Sequence, residues 1–344
     1  MKLRIPVPGL VALAVVAFVG ATALGPWGAA PPALAQGGTL TVYSGRSESL
    51  VAPLFQQFRQ DTGIDLRVRY GDSAELAATI LEEGRNSPAD VFFSQDAGAL
   101  GAVDARGMLR RLPDDLLQKV SAGFRASTGD WVGVSGRART VVYNTRVLAE
   151  ADLPDTLAGF TDPRWRAKLG WAPTNASFQA FVTAMRITDG EAAARAWLEG
   201  IKANNPRSYP SNPAILAAAA AGEIDAGFTN NYYLYNYLHD RGPAPLRNYF
   251  PRGGGLGAMV NATGVGILNT ARNSQAAERF AAYLLSTDAQ RYFADRSFEY
   301  PLVEGIPQNP DLPPLSSIPY PPLDLNSLRD LEGTLRLLQQ LGIL

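Results

Sequence analysis

The sequence predicts an α/β protein of two hinged lobes, each assembled from segments that are discontinuous in the chain. Three observations predict it. Residues 39–94 alternate strand, helix, strand, helix and strand, which is the pattern of a parallel sheet with helical crossovers. A second alternation begins at residue 169 and ends in the tyrosine-rich stretch 223–239. Two further apolar segments, 131–143 and 263–268, read as strands that cross between the two units.

In chain order, residues 1–35 come first. They carry Lys2 and Arg4, an apolar run from residue 11 to 24, and Ala33-Leu34-Ala35 ahead of Gln36. This is the layout of a secretory signal peptide cleaved after Ala35, because the run is shorter than the roughly 20 residues a spanning helix needs. The chain has no cysteine, so the new N-terminus cannot carry a thioether lipid, and the expected product is soluble and periplasmic.

Residues 39–43 alternate as a strand and enter Ser44-Gly45-Arg46-Ser47. Leu50, Val51, Leu54, Phe55 and Phe58 then recur at helical spacing, and Gly63 ends that helix. Residues 65–70 predict a strand, 73–83 a helix and 89–94 a strand. The turns after these strands, including Gln95 and Asp96, form one rim of a cleft, since ligands in open α/β sheets collect at strand carboxyl ends. In the second unit, 169–173 reads as a strand, 177–188, 192–202 and 214–222 as helices, and Gly253-Gly254-Gly255 as a loop. Residues 263–268 return as a strand to the first unit, followed by helices at 275–285 and 289–295, a proline-rich stretch from 301 to 322, and a final amphipathic helix at 328–341. The expected first lobe is 36–139 plus 262–312, and the second is 140–261 plus 313–344.

Composition excludes several functions. Loss of residues 1–35 removes two basic residues and no acid, leaving 29 Lys and Arg against 32 Asp and Glu. Neither a nucleic-acid partner nor an anionic membrane surface suits that balance. With one histidine and no cysteine there is little material for Ser–His or thiolate chemistry. His239 fits a partner for the C-terminal end of a helix dipole. Ser135 lies in Gly133-Val134-Ser135-Gly136, which is not the Gly-x-Ser-x-Gly elbow of hydrolases.

The stretch 223–239 places Asn230, Asn231, Tyr232 and Tyr233 at a strand-to-helix junction, where a helix N-terminus offers free N–H groups to an anion. One reading makes all its tyrosines packing residues of a helix. The other makes Tyr232 and Tyr233 ligand groups, because adjacent helical residues point about 100° apart and so do not share one packing face.

These residues, with Leu40-Thr41-Val42-Tyr43, Ser135-Gly136-Arg137-Ala138-Arg139, Asn230-Asn231-Tyr232-Tyr233 and Glu299-Tyr300-Pro301-Leu302, make the chain resemble a family. It is the periplasmic ferric-ion-binding proteins of bacterial ABC iron importers, within the transferrin-like, type II periplasmic binding proteins. The resemblance implies that the phenolates of Tyr232 and Tyr233 bind Fe(III), a hard cation that favours anionic oxygen. It also marks departures. Ser47 stands where many members have a histidine ligand, Gln95 where they have a glutamate, and Phe178 where some have a third tyrosine. Glu48 and Asp96 stand beside these positions as candidate replacements, or an exogenous carbonate or phosphate completes the sphere. The family's anion-binding turn corresponds to Asn175, Ala176 and Ser177, with Asn212 and Asn230 as neighbours. Arg46, Arg137 and Arg139 are candidate anion donors through paired N–H groups. The resemblance further implies an ABC permease as partner, contact with the membrane only through that permease, a monomeric binder, and no enzymatic activity. The same fold holding a small organic or inorganic anion without metal is the alternative, and a periplasmic hydrolase is a third reading.

Overall fold

The computed structural model describes residues 38–344, and the expected leader at 1–35 lies outside them. The chain forms β1 (Thr39–Ser44), α1 (Glu48–Thr62), β2 (Asp65–Tyr70), α2 (Ser73–Glu83), β3 (Val91–Ser94), α3 (Ala97–Asp104), β4 (Leu109–Arg110) and α4 (Asp114–Leu117). The long strand β5 (Trp131–Asn144) follows, then β6 (Leu169–Trp171), α5 (Ala176–Thr188), α6 (Glu191–Ala203), β7 (Arg207–Ser208), α7 (Asn212–Ala221), β8 (Ala226–Asn230) and α8 (Tyr232–Arg241). The chain closes with β9 (Leu246–Tyr249), β10 (Val260–Leu268), α9 (Ser274–Leu284), α10 (Thr287–Arg296), β11 (Tyr300–Pro301) and α11 (Leu331–Gln340).

Two half-sheets meet on β5. Strands β2, β1 and β3 run parallel, as the crossovers through α1 and α2 require. The returning strand β10 pairs antiparallel with β3 on one side and with residues 131–138 of β5 on the other. From Arg139 onward β5 changes partners, pairing with β8 and β9. Strands β6 and β7 extend that second half in parallel. All fourteen residues of β5 are buried, including Ser135, Arg137 and Arg139, which interrupt its apolar runs. The result is the expected two-lobed α/β fold.

The element order read from the sequence holds, and the differences have physical causes. The return strand starts at Val260 rather than residue 263, because its first residues pair with Ala138 and Arg137. The final helix is shorter than expected: Leu325–Arg329 form a 3-10 turn, and Asp330 then caps α11 by accepting from the Gly333 N–H. Helix α3 was not foreseen. It is buried on nearly every side and so lacks a polar stripe, and its glycines serve close approach rather than flexibility. A Cβ on Gly98 would stand 3.1 Å from the Leu328 carbonyl, and one on Gly101 would stand 3.1 Å from the Arg329 Cβ. Short strands β4, β9 and β11 and helix α4 also carry too few residues to show a period.

Candidate metal and anion site

The site begins where β8 becomes α8. Asn231 stitches this junction to β5: its Oδ1 accepts from the Ala138 N–H at 2.9 Å and its own N–H donates to the Ala138 carbonyl at 2.9 Å. Tyr232 is thereby fixed as the first residue of α8 with no exposed surface, while Tyr233 is half-buried. The 100° offset between neighbours does not part their rings, whose centroids lie 4.0 Å apart at 31°. Tyr233 Oη receives a hydrogen bond from Gln95 Nε2 at 3.4 Å, which links the first half of the fold to the second. Tyr232 Oη has no hydrogen-bond partner among the described residues. Burial holds the Tyr232 phenol well above its usual pKa, and the Tyr233 charge adds to this, while Arg46 and Arg137 pull it down. A phenol in such a place deprotonates only for a strong cation.

Three buried arginines surround the pair. The Arg46 guanidinium lies over the Tyr232 ring, 5.6 Å from its centroid. Its terminal nitrogens donate to Glu299 Oε1 at 2.7 Å and to Thr263 Oγ1 at 3.1 Å. Arg137 Nη1 donates to the same Thr263 hydroxyl at 3.0 Å. Arg139 Nη1 donates to Asn230 Oδ1 at 3.2 Å, and its Nη2 is unpartnered among the described residues. Burial, reinforced by the charge of Arg137, pushes the Arg139 pKa down to about 9. An anion beside it relieves both effects.

The expected anion turn is a connected network. Asn175 caps α5, its Oδ1 accepting from the Ser177 N–H at 3.1 Å and from Ser177 Oγ at 2.6 Å. Asn212 Nδ2 reaches the same oxygen at 3.2 Å, and Asn230 Nδ2 donates to Ser177 Oγ at 3.1 Å. Ala176 opens the helix. Asn175, Ser177, Asn212, Asn230 and Arg139 thus form one chain of contacts at a helix N-terminus.

The other candidates sit elsewhere. Ser47 and Glu48, at the start of α1, are exposed. Asp96 is buried and caps α3, its Oδ1 accepting from the Ala99 N–H at 3.0 Å. Burial raises its carboxyl to about 6 against the pull of Arg137. Phe178 packs edge-on against Trp171. His239 is exposed in the last turn of α8 beside Asp240. Among the described residues no group of three or more His, Cys, Asp or Glu is placed to hold a metal. Glu299, to which the sequence reading gave no role beyond the family-like block 299–302, is fully buried and paired with Arg46.

A model of the bacterial extracellular solute-binding proteins matches residues 53–315, and the chain belongs to that family, whose members bind and deliver solutes rather than catalyse. Within it, the chain is 35% identical to the major ferric iron-binding protein of Neisseria meningitidis serogroup B, over 92% of this chain and 95% of that protein. It is 31% identical to the Fe(3+)-binding periplasmic protein of Serratia marcescens over the full length of both. The crystal structure of iron-bound HitA from Pseudomonas aeruginosa superposes with a TM-score of 0.85 at 31% identity, covering 88% of this chain and 99% of that one. Among the described residues no helix is long and apolar enough to cross a membrane.

Proposed function

We propose that this protein captures ferric iron in the periplasm and delivers it to an ABC permease. The phenolates of Tyr232 and Tyr233 bind the metal, and an exogenous carbonate or phosphate at the α5 N-terminus completes the sphere. One observation carries the reading: two phenol rings lie 4.0 Å apart, tilted by 31°, at a strand-to-helix junction, and among the described residues one is buried with an unpartnered oxygen near arginines with unpartnered N–H groups. The relatives named for ferric iron support metal over the metal-free alternative. Gln95 contributes an amide to Tyr233 rather than a charged ligand, and this is why the anion is assigned the remaining coordination. The lobes divide at 36–139 plus 262–312 and 140–261 plus 313–344, with the hinge where β5 changes partners at Arg139. The protein works as a monomer.

The test is metal analysis and a visible spectrum of protein loaded with ferric citrate, in buffer with and without carbonate or phosphate. The parent is expected to hold one iron and to show a tyrosinate-to-iron charge-transfer band that fades when both anions are withheld. Tyr232→Phe and Tyr233→Phe are expected to fold and to lose the band. Parent and variants that all remain colourless and metal-free would return the site to anion binding alone.

A further inference from the structure

Glu299 lies outside the tyrosine and anion groups, yet three segments bond to it and a fourth holds its partner Arg46. Arg46, from the turn after β1, pairs with its Oε1 at 2.7 Å, and both side chains are almost wholly buried, at 1% and 0% exposure. Ser135, from β5, donates to its Oε2 at 2.7 Å. The Glu299 N–H donates to the Phe293 carbonyl at 3.0 Å. Thr263, from β10, takes the other terminal nitrogen of Arg46, and the β10–β5 register shifts between Thr263 and Gly264, next to this contact. Bulges of this kind re-aim side chains. Immediately before Glu299, Phe298 holds φ at 54°, a left-handed conformation that a bulky residue adopts only when its surroundings enforce it. The molecule therefore holds this carboxylate with a buried ion pair and a serine hydroxyl, on a backbone fixed by the Phe293 carbonyl and the strained Phe298.

An ion pair buried this deeply is a weak source of stability, because desolvation offsets most of the attraction. Its position points to another use. The guanidinium that Glu299 holds lies over the face of Tyr232, whose ring carries the electrons a bound ferric ion withdraws. We propose that Glu299 is a positioning residue, which anchors Arg46 over Tyr232 so that the two opposite charges together set the electron density of the metal-binding phenolate. The inference rests on the ferric reading above and adds to it a pair that never touches the metal. A cation over the ring stabilises the phenolate's filled orbitals. The carboxylate behind it partly cancels that effect and keeps the cation in place.

The test reads the energy of the charge-transfer band in iron-loaded protein, with bound metal measured on the same samples. Arg46→Met leaves Glu299 without its counter-charge, which makes the phenolate easier to oxidise, and the band is expected to move to longer wavelength. Glu299→Gln leaves Arg46 uncompensated, and the band is expected to move to shorter wavelength. The double variant Arg46→Met, Glu299→Gln removes both charges and is expected to return the band close to the parental position. Shifts of the same sign in the two single variants, or no shift with iron still bound, would overturn the proposal. Since either single variant leaves a buried charge alone and risks misfolding, the charge-neutral double variant and Glu299→Asp, which retains the pair, keep it decidable. A Glu299→Asp band displaced as far as that of Glu299→Gln would also overturn it. A parent that shows no band at all defeats the ferric reading itself, and so is distinct from all these outcomes.

Discussion

Removing the hydroxyl of Tyr232 deletes a buried oxygen that has no hydrogen-bond partner among the described residues, so in iron-free protein it removes a desolvation cost rather than a bond. Tyr232→Phe is therefore expected to raise stability by about 1 kcal/mol in urea denaturation of the iron-free form. Tyr233→Phe gives up a single 3.4 Å contact on a half-buried ring and should change stability by a few tenths of a kcal/mol at most, about what a weak and partly solvated bond is worth. A loss of stability in Tyr232→Phe would mark that phenol as structural. Sites that retain a destabilising group do so for function. The pair was legible in the sequence because two adjacent phenols follow an asparagine pair where an apolar strand ends. Glu299 was not. Nothing local in Glu299-Tyr300-Pro301-Leu302 announces that Arg46, 253 positions away, will meet its carboxylate.

Helix α3 turns on its cap. Asp96 accepts from the Ala99 N–H, yet its burial is deep enough to hold the carboxyl near 6, above an unfolded value of about 4. For a carboxyl raised in this direction, the stability it contributes is complete below the unfolded value and is lost as pH rises through the folded one. By pH 7 the loss is about 3 kcal/mol, from roughly two pKa units at 1.36 kcal/mol each. Asp96→Asn keeps an N-cap acceptor without the charge. Thermal or urea denaturation of parent and variant across pH 4–7 should show the variant gaining on the parent as pH rises, and a constant difference would mean that Asp96 is ionised throughout. The element itself escaped the sequence reading for the reason that gives it this chemistry: a helix enclosed on all sides has no polar face to supply a period. Helices with one wet face, such as α1 and α6, were legible from their spacing, and so was the asparagine cap of α5.

Across the whole molecule the two halves share β5, and contacts from Gln95 to Tyr233 and from Arg46 over Tyr232 span the cleft between them. A ligand that favours the joined arrangement draws the halves together. Small-angle scattering should show a smaller radius of gyration with iron and carbonate than with neither, and Arg139→Ala should weaken that compaction by removing the cation beside Asn230. Compaction by iron alone, unchanged in Arg139→Ala, would dissociate the anion from closure. The lobed architecture was legible because each half repeats the alternation of strand and helix, whereas the exact sharing of β5 depended on pairings no local pattern encodes. That sharing has a consequence for how the chain reaches its fold. The return strand β10 fills the gap between β3 and β5, so until residue 268 has been made both neighbours are bare edges, and Glu299 arrives later still. Closing loops of this length before any contact rewards them is slow, and exposed edges invite pairing with other chains. The nascent protein thus passes a long interval in which most of its length is synthesised, two strand edges stay bare and neither half can be finished.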